Sequence, residues 1–282
     1  MDSKFNIGIV GFGVVGQALA NGFKSDNILY YDKFKDSIPL AETVEKSDYI
    51  FICLPTPMHL SEKGIDLSEF KEVIAKISPI ANNTEKIIII KSTVIPGTTK
   101  SLQEENPNSK FAFNPEFLTE SNFMEDFLNS KRTIIGAFTH DVKEKVGKLY
   151  EARFPNSKIF FSDPTTVEFA KYMANAYLAL KVSFANQIYD LAEKLGVDYH
   201  EAKRLAISDK RIEDTHLDVT RERGFGGKCF PKDTVALLGL ANDLGVDLTV
   251  VKSSWEYNKK VRKIHDWEDI PFATSKPQES DN

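Results

Sequence analysis

The segment Gly11-Phe12-Gly13-Val14-Val15-Gly16 constrains this chain more than any other part of it. It follows an apolar, β-branched run, Phe5–Val10, and opens a helix-compatible stretch, Gln17–Phe23. In that frame the glycines have separate uses. Gly11 permits a tight turn, Gly13 lets the backbone approach a pyrophosphate, and Gly16 lets helix pack on strand. Val14 and Val15 then fall where a helix N-terminus offers unpaired N–H groups and positive dipole to phosphate. Alone the glycine spacing is weak, and a tight turn with a solvated aspartate is the competing reading. The strand–turn–helix setting strengthens it, as does Asp32, about 20 residues on, where a ribose 2′-OH is bound. A carboxylate there repels a 2′-phosphate, so NAD is expected over NADP, with Lys33 and Lys35 pulling the other way.

Similar runs recur at Ile28–Tyr31, Tyr49–Leu54, Ile87–Lys91, Phe111–Phe113, Thr133–Ala137 and Ile159–Phe161. Strands alternating with helical stretches predict an α/β domain, a Rossmann-type doubly wound, mostly parallel sheet, over residues 1–162. From residue 163 the periodicity turns helical, which predicts an all-helical domain to residue 270. Thr165-Thr166-Val167-Glu168 reads as a capping box opening a helix that Gly196 ends near Leu195. Shorter helices are expected over His200–Ile207, Lys232–Leu244 and Leu248–His265. Polar residues from Pro271 to Asn282 predict a mobile tail.

Composition removes several classes. The 282 residues, 41% hydrophobic, suffice for roughly two domains. The net charge of -5 comes with no basic stripe, so nucleic acid is not an expected partner. No apolar run nears the roughly 20 residues of a membrane helix, and no signal-peptide pattern opens the chain. A cytoplasmic protein is expected, away from membranes. Cys53 and Cys229 lie in unrelated contexts and do not form a disulfide framework. Cys53, inside an apolar run, reads as an inert core thiol. No metal is expected.

Three strands end in unusual polar segments: Leu54-Pro55-Thr56-Pro57, Ser92-Thr93-Val94-Ile95-Pro96-Gly97-Thr98 and Asn114-Pro115-Glu116-Phe117-Leu118-Thr119-Glu120. Any one is ordinary turn chemistry. Three on one rim of a doubly wound sheet, where ligands bind, point to a site. On the long helix Lys171 and Asn175 share a face, which by itself is most often a solvated face. Gly224-Phe225-Gly226-Gly227-Lys228-Cys229-Phe230-Pro231-Lys232-Asp233 changes that reading. Its glycines allow close backbone approach to a ligand. Pro231 suits a first helical turn, placing Cys229 just before a helix N-terminus with Lys228 and Lys232 nearby. That setting lowers a thiol's pKa and favours the nucleophilic thiolate.

At this point the chain resembles the UDP-glucose/GDP-mannose dehydrogenase family over nearly its whole length. The likeness rests on GIVGFGVVG, PTP at 55–57, STVIPGT at 92–98, NPEFLTES at 114–121, KYMANAY at 171–177 and GFGGKCFPKD at 224–233. It implies an NAD-dependent oxidoreductase that takes a nucleotide sugar through four electrons, foremost UDP-glucose to UDP-glucuronate for polysaccharide biosynthesis. GDP-mannose and UDP-N-acetyl sugars are the other substrates in view. Carried over by residue, Cys229 is the nucleophile, Lys171 and Asn175 hold the oxyanion, and Asp233 orients or activates water. Thr93 and Glu120 position water and, with Pro55 and Thr56, border the cofactor. Glu116, Phe117 and Leu118, with Gly224, Phe225 and Gly226, line the sugar-nucleotide channel. Arg211 reaches the diphosphate, across a homodimer formed by the helical domain. Three departures from the resemblance stand out: the sequence stops soon after the stretch with Trp255 and Asn258 and reads as a short form without the family's C-terminal nucleotide-binding domain, the segment between Asp32 and strand three is shorter than usual, and Glu213 stands where a glycine often follows the Arg-Ile pair.

Two other readings stay open. A two-electron β-hydroxyacid dehydrogenase shares the layout and the Lys-x-x-x-Asn pair but gives Cys229 no work. A non-catalytic NAD-binding regulatory module would have no reason to keep Lys171, Asn175, Cys229 and Asp233 together.

Overall fold

Nine strands are present among the described residues: β1 (Asn6–Val10), β2 (Asn27–Tyr31), β3 (Tyr49–Ile52), β4 (Met58–His59), β5 (Ile87–Ile90), β6 (Lys110–Phe113), β7 (Arg132–Ala137), β8 (Lys158–Ser162) and β9 (Thr274–Ser275). Between them run helices α1 (Val14–Gly22), α2 (Leu40–Glu45), α3 (Ser68–Ala81), α4 (Thr98–Glu105), α5 (Phe123–Leu128), α6 (His140–Glu151), α7 (Pro164–Leu195), α8 (Tyr199–Ala206), α9 (Cys229–Asp243) and α10 (Thr249–Val261). The computed structural model describes residues 4–117 and 122–275. They divide into two compact units: the chain to Thr56 with Leu67–Lys171, and Pro57–Asp66 with the chain from Tyr172. No described helix is long and apolar enough to cross a membrane.

The first unit is a Rossmann-like α/β layer structure. Seven strands lie in the order β2-β1-β3-β5-β6-β7-β8, parallel throughout except for the antiparallel pair β6–β7. Alternate residues feed opposite faces, as the period of a strand requires. Ile7, Ile9, Phe51, Ile87 and Ile89 pack with Leu19 of α1 and Val146 of α6. Val10, Ile50, Ile52, Ile88 and Ile90 pack with Phe70 and Ile74 of α3 and Leu102 of α4. Both faces are thus covered, which is why β5 reads Ile-Ile-Ile-Ile. β1 bonds to both β2 and β3, so chain direction across the sheet switches at the strand carrying the glycine turn. Ligands bind at such a crevice.

The second unit holds the C-terminal part of α7 and helices α8–α10. Its core joins Val182, Phe225, Val235, Trp255, Trp267 and Ala273 with Met58. Gly196, at φ +70°, ends α7; Val197 N–H donates to Ala192 O at 2.9 Å and Gly196 N–H to Glu193 O, the paired bonds of a glycine-terminated helix. Between residues 163 and 270 every element is a helix. One expectation needs correction: not all of Pro271–Asn282 is a loose tail, because Ala273 is buried and Thr274–Ser275 pair in parallel with β4, so main-chain pairing outweighs polar composition there. Residues 276–282 lie outside the described residues.

Helix α7 also starts differently from the expected capping box. Pro164, with its fixed φ and missing N–H, takes the first helical position, as prolines do. The cap therefore falls on Asp163, whose carboxylate accepts the Thr166 N–H at 3.0 Å. Glu168 does other work, described next.

Candidate active site

Each glycine of the turn after β1 has different surroundings. Gly11 sits at φ +93°, and a Cβ there would lie 2.6 Å from the Cys53 carbonyl oxygen. A Cβ on Gly16 would collide with the Gly11 carbonyl oxygen, so turn and helix pack backbone to backbone. A Cβ on Gly13 would meet nothing within 4 Å. That open space lies at the start of α1, which has no side-chain cap and no acidic residue in its first turn, Val14 and Val15 included. Free N–H donors and room over Gly13 suit a pyrophosphate. Asp32, just past β2, accepts the Phe12 N–H at 2.7 Å and the Phe34 N–H at 2.9 Å, fixing it beside the turn. Lys35 donates to the Phe12 carbonyl at 2.6 Å and Lys33 faces Glu69 at 3.7 Å. Both lysines that argued for a 2′-phosphate thus have other partners, and the residues fit NAD.

The ends of β3 and β5 are tied together. Thr56 hydroxyl donates to Thr93 O at 2.8 Å, and Ser92 hydroxyl to Leu54 O at 2.8 Å. Pro55 and Thr93 are half-buried there. Beneath this rim lies a residue the sequence reading passed over. Lys91 is buried, donating to Asn114 Oδ1 at 3.0 Å and Pro115 O at 3.4 Å. The Tyr150 hydroxyl also donates to Asn114 Oδ1, and Asn114 Nδ2 donates to Ile134 O at 2.7 Å. Loss of hydration lowers the Lys91 ammonium to about 8. It pushes the adjacent Cys53 thiol up to about 12, in keeping with an inert core cysteine. A lysine closing a wholly apolar strand was the available signal.

Two helix residues complete this unit. Glu168 is fully buried and accepts the N–H groups of Gly97 (2.6 Å) and Thr99 (2.9 Å) and the Thr99 hydroxyl (2.5 Å). It caps α4 from another helix, anchoring the loop that carries Thr93. Burial raises its pKa, and the three hydrogen bonds counter that. Lys171, one turn on, is 3% exposed. Its ammonium donates to the Glu116 carbonyl at 2.6 Å, lies 3.5 Å from the Glu116 carboxylate and stands over the Phe117 ring at 4.9 Å. The structure therefore joins Lys171, Glu116 and Phe117. Leu118 and Glu120 lie outside the described residues.

In the second unit Cys229 is the first residue of α9 and is exposed. Lys228 precedes it as the cap, and Pro231 occupies the first turn, where its absent N–H is not missed. Asp233 is 1% exposed; Lys232 donates to its Oδ1 at 2.5 Å and Asn175 Nδ2 to its Oδ2 at 2.6 Å. Lys232 therefore serves Asp233, and Asp233 orients Asn175. The glycine loop corrects an expectation. A Cβ on Gly224 would strike the Asn258 side chain, and one on Gly226 the side chains of Arg262 and Asp266. The close approach at these two glycines is by protein side chains, because α10 and the segment after it pack against the loop. Phe225 is 3% exposed and belongs to the core, so its ring does not line a channel. Arg211 is on the surface, paired with Asp209 at 2.5 Å.

Comparison with known proteins agrees with this arrangement. Residues 25–153 match the NAD binding domain of the UDP-glucose/GDP-mannose dehydrogenase family, and residues 165–260 match its central domain. UDP-glucose 6-dehydrogenase of Rickettsia bellii is 33% identical over 237 residues, covering 82% of this chain and 54% of that protein. UDP-glucose 6-dehydrogenase TuaD of Bacillus subtilis is 34% identical over 236 residues, 81% of this chain and 50% of that one. The chain thus spans about half the length of the curated relatives it matches. A UDP-glucose dehydrogenase from Pyrobaculum islandicum superposes with a TM-score of 0.81 at 26% identity, over 92% of this chain and 68% of that chain. A glycine turn built for NAD, a helical unit holding the cysteine segment, and matches to both domain models together establish that the chain belongs to the UDP-glucose/GDP-mannose dehydrogenase family.

Proposed function

We propose that the chain oxidises a nucleotide sugar by four electrons with NAD, UDP-glucose to UDP-glucuronate first among the candidates, and that Cys229 is the nucleophile. The observation that carries this reading is the placement of an exposed thiol at the first residue of α9, whose next turn holds Asp233 against Asn175. Oxidation of an alcohol to an acid passes through a reactive aldehyde, which the protein must hold. Gly11, Gly13, Gly16, Val14, Val15 and Asp32 would hold NAD, which when bound would supply a hydride acceptor worth two electrons per molecule. The Cys229 thiolate adds to the aldehyde carbon, giving a thiohemiacetal; removal of the carbon's second hydride leaves a thioester, and water releases the acid and the thiol. Lys171 and Asn175 donate to the oxyanion formed in these steps. One such donor is typically worth about 2.7–4 kcal/mol of barrier. Asp233 keeps Asn175 in its donating orientation. Thr93, whose carbonyl accepts the Thr56 hydroxyl, positions water.

A homodimer through the helical unit belongs to the same reading. Met173, Tyr177, Phe184, Ile188, Leu191 and Leu195 of α7 are exposed large apolar residues at three-, four- and seven-residue spacing, the spacing of a helix-packing seam. Arg211 would then meet a diphosphate from its exposed position.

The test is product stoichiometry. Purified protein given UDP-glucose and NAD should form two NADH per UDP-glucuronate, and Cys229→Ser should complete the first oxidation yet release no acid. One NADH per product, or a Cys229→Ser variant forming acid at the parent rate, would overturn the reading.

A further inference from the structure

Of the five residues Arg223–Gly227, immediately before Lys228 and Cys229, four have backbone groups held by side chains from elsewhere in the second unit. Arg262 donates to the Arg223 carbonyl at 2.8 Å. Gly224 N–H donates to Asn186 Oδ1 at 3.2 Å. Asn258 brackets Phe225, accepting its N–H at 2.7 Å and donating to its carbonyl at 2.9 Å. Gly227 N–H donates to Asp266 Oδ2 at 3.1 Å, and Asp266 is itself paired with Arg262 at 3.1 Å. Arg223, Gly224 and Gly227 have φ of 60°, 55° and 73°. A left-handed conformation at the non-glycine Arg223 is costly, by roughly 1–2 kcal/mol. Arg223 carries that cost while Gly224 and Gly227 do not, so a segment holding it would relax if its ties were cut.

We infer that Asn258 is a positioning residue for the reactive cysteine: it replaces the neighbouring strand that the loop lacks and thereby sets where α9, and Cys229 at its tip, begins. Asn258 is fully buried, and both polar ends of its amide are spent on one residue, Phe225. That bidentate grip cannot be kept by any other side chain of its size: aspartate loses the donor, and leucine loses both. Arg262 and Asp266 extend the clamp to the two ends of the loop. Gly224 and Gly226 are required because this clamp lies where their side chains would be. The role rests on the proposed function only through the identity of the nucleophile.

The experiment reads the thiol directly as well as turnover. Asn258→Asp and Asn258→Leu, with the milder Asp266→Asn in case the first two do not fold, are compared with the parent. Cys229 alkylation by iodoacetamide is followed across pH by peptide mass, alongside thermal melting and the NADH-to-acid ratio. The expected result is alkylation slowed near neutral pH with a displaced pH profile, because a thiol moved off the helix N-terminus forms thiolate less readily, and aldehyde escaping between the two oxidations. In Asp266→Asn the same changes are smaller, at an unchanged melting temperature. Alkylation and product ratio equal to the parent in every folded variant, with only melting lowered, would overturn the inference. Alkylation altered in the variants, together with a parent that oxidises no sugar nucleotide, would uphold the clamp and sink the proposed function instead.

Discussion

Asn175 donates its side-chain amide to Asp233 at 2.6 Å, across 58 residues of sequence. The other Asp233 oxygen is taken by Lys232 at 2.5 Å. A buried carboxylate with both oxygens engaged is an orienting group. It holds Asn175 with one amide hydrogen committed.

Loss of that orientation should appear in turnover before binding. Asp233→Ala is expected to lower kcat by about 10²–10³-fold, the cost of one misaligned oxyanion donor, while KM for the sugar nucleotide changes little. Steady-state kinetics decide it. Lys232→Met strips the buried carboxylate of its cation and should cost about 3 kcal/mol of stability by denaturant titration.

Gly13 and Gly16 make opposite predictions from one motif. Gly13→Ala adds a methyl group to open space, so melting should be unchanged while NAD binding weakens about tenfold or more, equal to about 1.4 kcal/mol. Gly16→Ala drives a methyl group into the Gly11 carbonyl and should cost about 1–3 kcal/mol of stability. Calorimetric titration with NAD and thermal melts separate the two.

Glu168 is expected to be structural and pH-sensitive. Glu168→Ala leaves the Gly97 and Thr99 N–H groups and the Thr99 hydroxyl without their acceptor, a loss of about 1–3 kcal/mol for each group that water does not reach. Because burial raises the folded-state pKa above the ordinary carboxylate value, the folded state holds the proton more tightly there. Stability from Glu168 therefore falls as pH rises out of the ordinary carboxylate range. Glu168→Gln keeps one acceptor oxygen, sets an NH2 group against the remaining N–H donor, and should lose that slope in melts from pH 4 upward.

Lys91 and Cys53 oppose each other at alkaline pH. Unfolded, Lys91 stays protonated to about 10.4; folded, only to about 8. Between these values the unfolded chain binds more protons, so stability climbs with pH. Cys53 ionises near 8.5 when unfolded but at about 12 when folded, so its contribution falls with pH from 8.5 upward. The parent should be nearly flat between pH 8.5 and 10. Cys53→Ala should uncover the rise and Lys91→Met the fall, each approaching about 1.4 kcal/mol per pH unit. Denaturant titrations across that range are the measurement.

What was legible in the sequence depended on how local the determinant was. β1, β3 and β5 are buried on both faces, so their apolar runs stand out, and the glycine turn carries its reasons within six residues. The Thr-Thr-Val-Glu pattern misled because the partners of Glu168, Gly97 and Thr99, lie about 70 residues away. A polar stretch with Ala273 as its one small anchor gave no hint of pairing with Met58–His59. The glycines before Cys229 were legible as close-approach positions, but not that Asn258 and Arg262 are what approach. Lys91 was hidden because a lysine after an apolar strand usually reaches solvent.

The pairing of β9 with β4 has a consequence for synthesis. Met58 and His59 leave the ribosome early, yet their strand partner is Thr274–Ser275. The seven-stranded sheet has all its strands once Ser162 has emerged. The β4–β9 ladder cannot form until translation passes residue 275, leaving β4 without its partner strand meanwhile. A nascent chain arrested shortly before that point would present a protease-resistant sheet and a cleavable 57–66 segment.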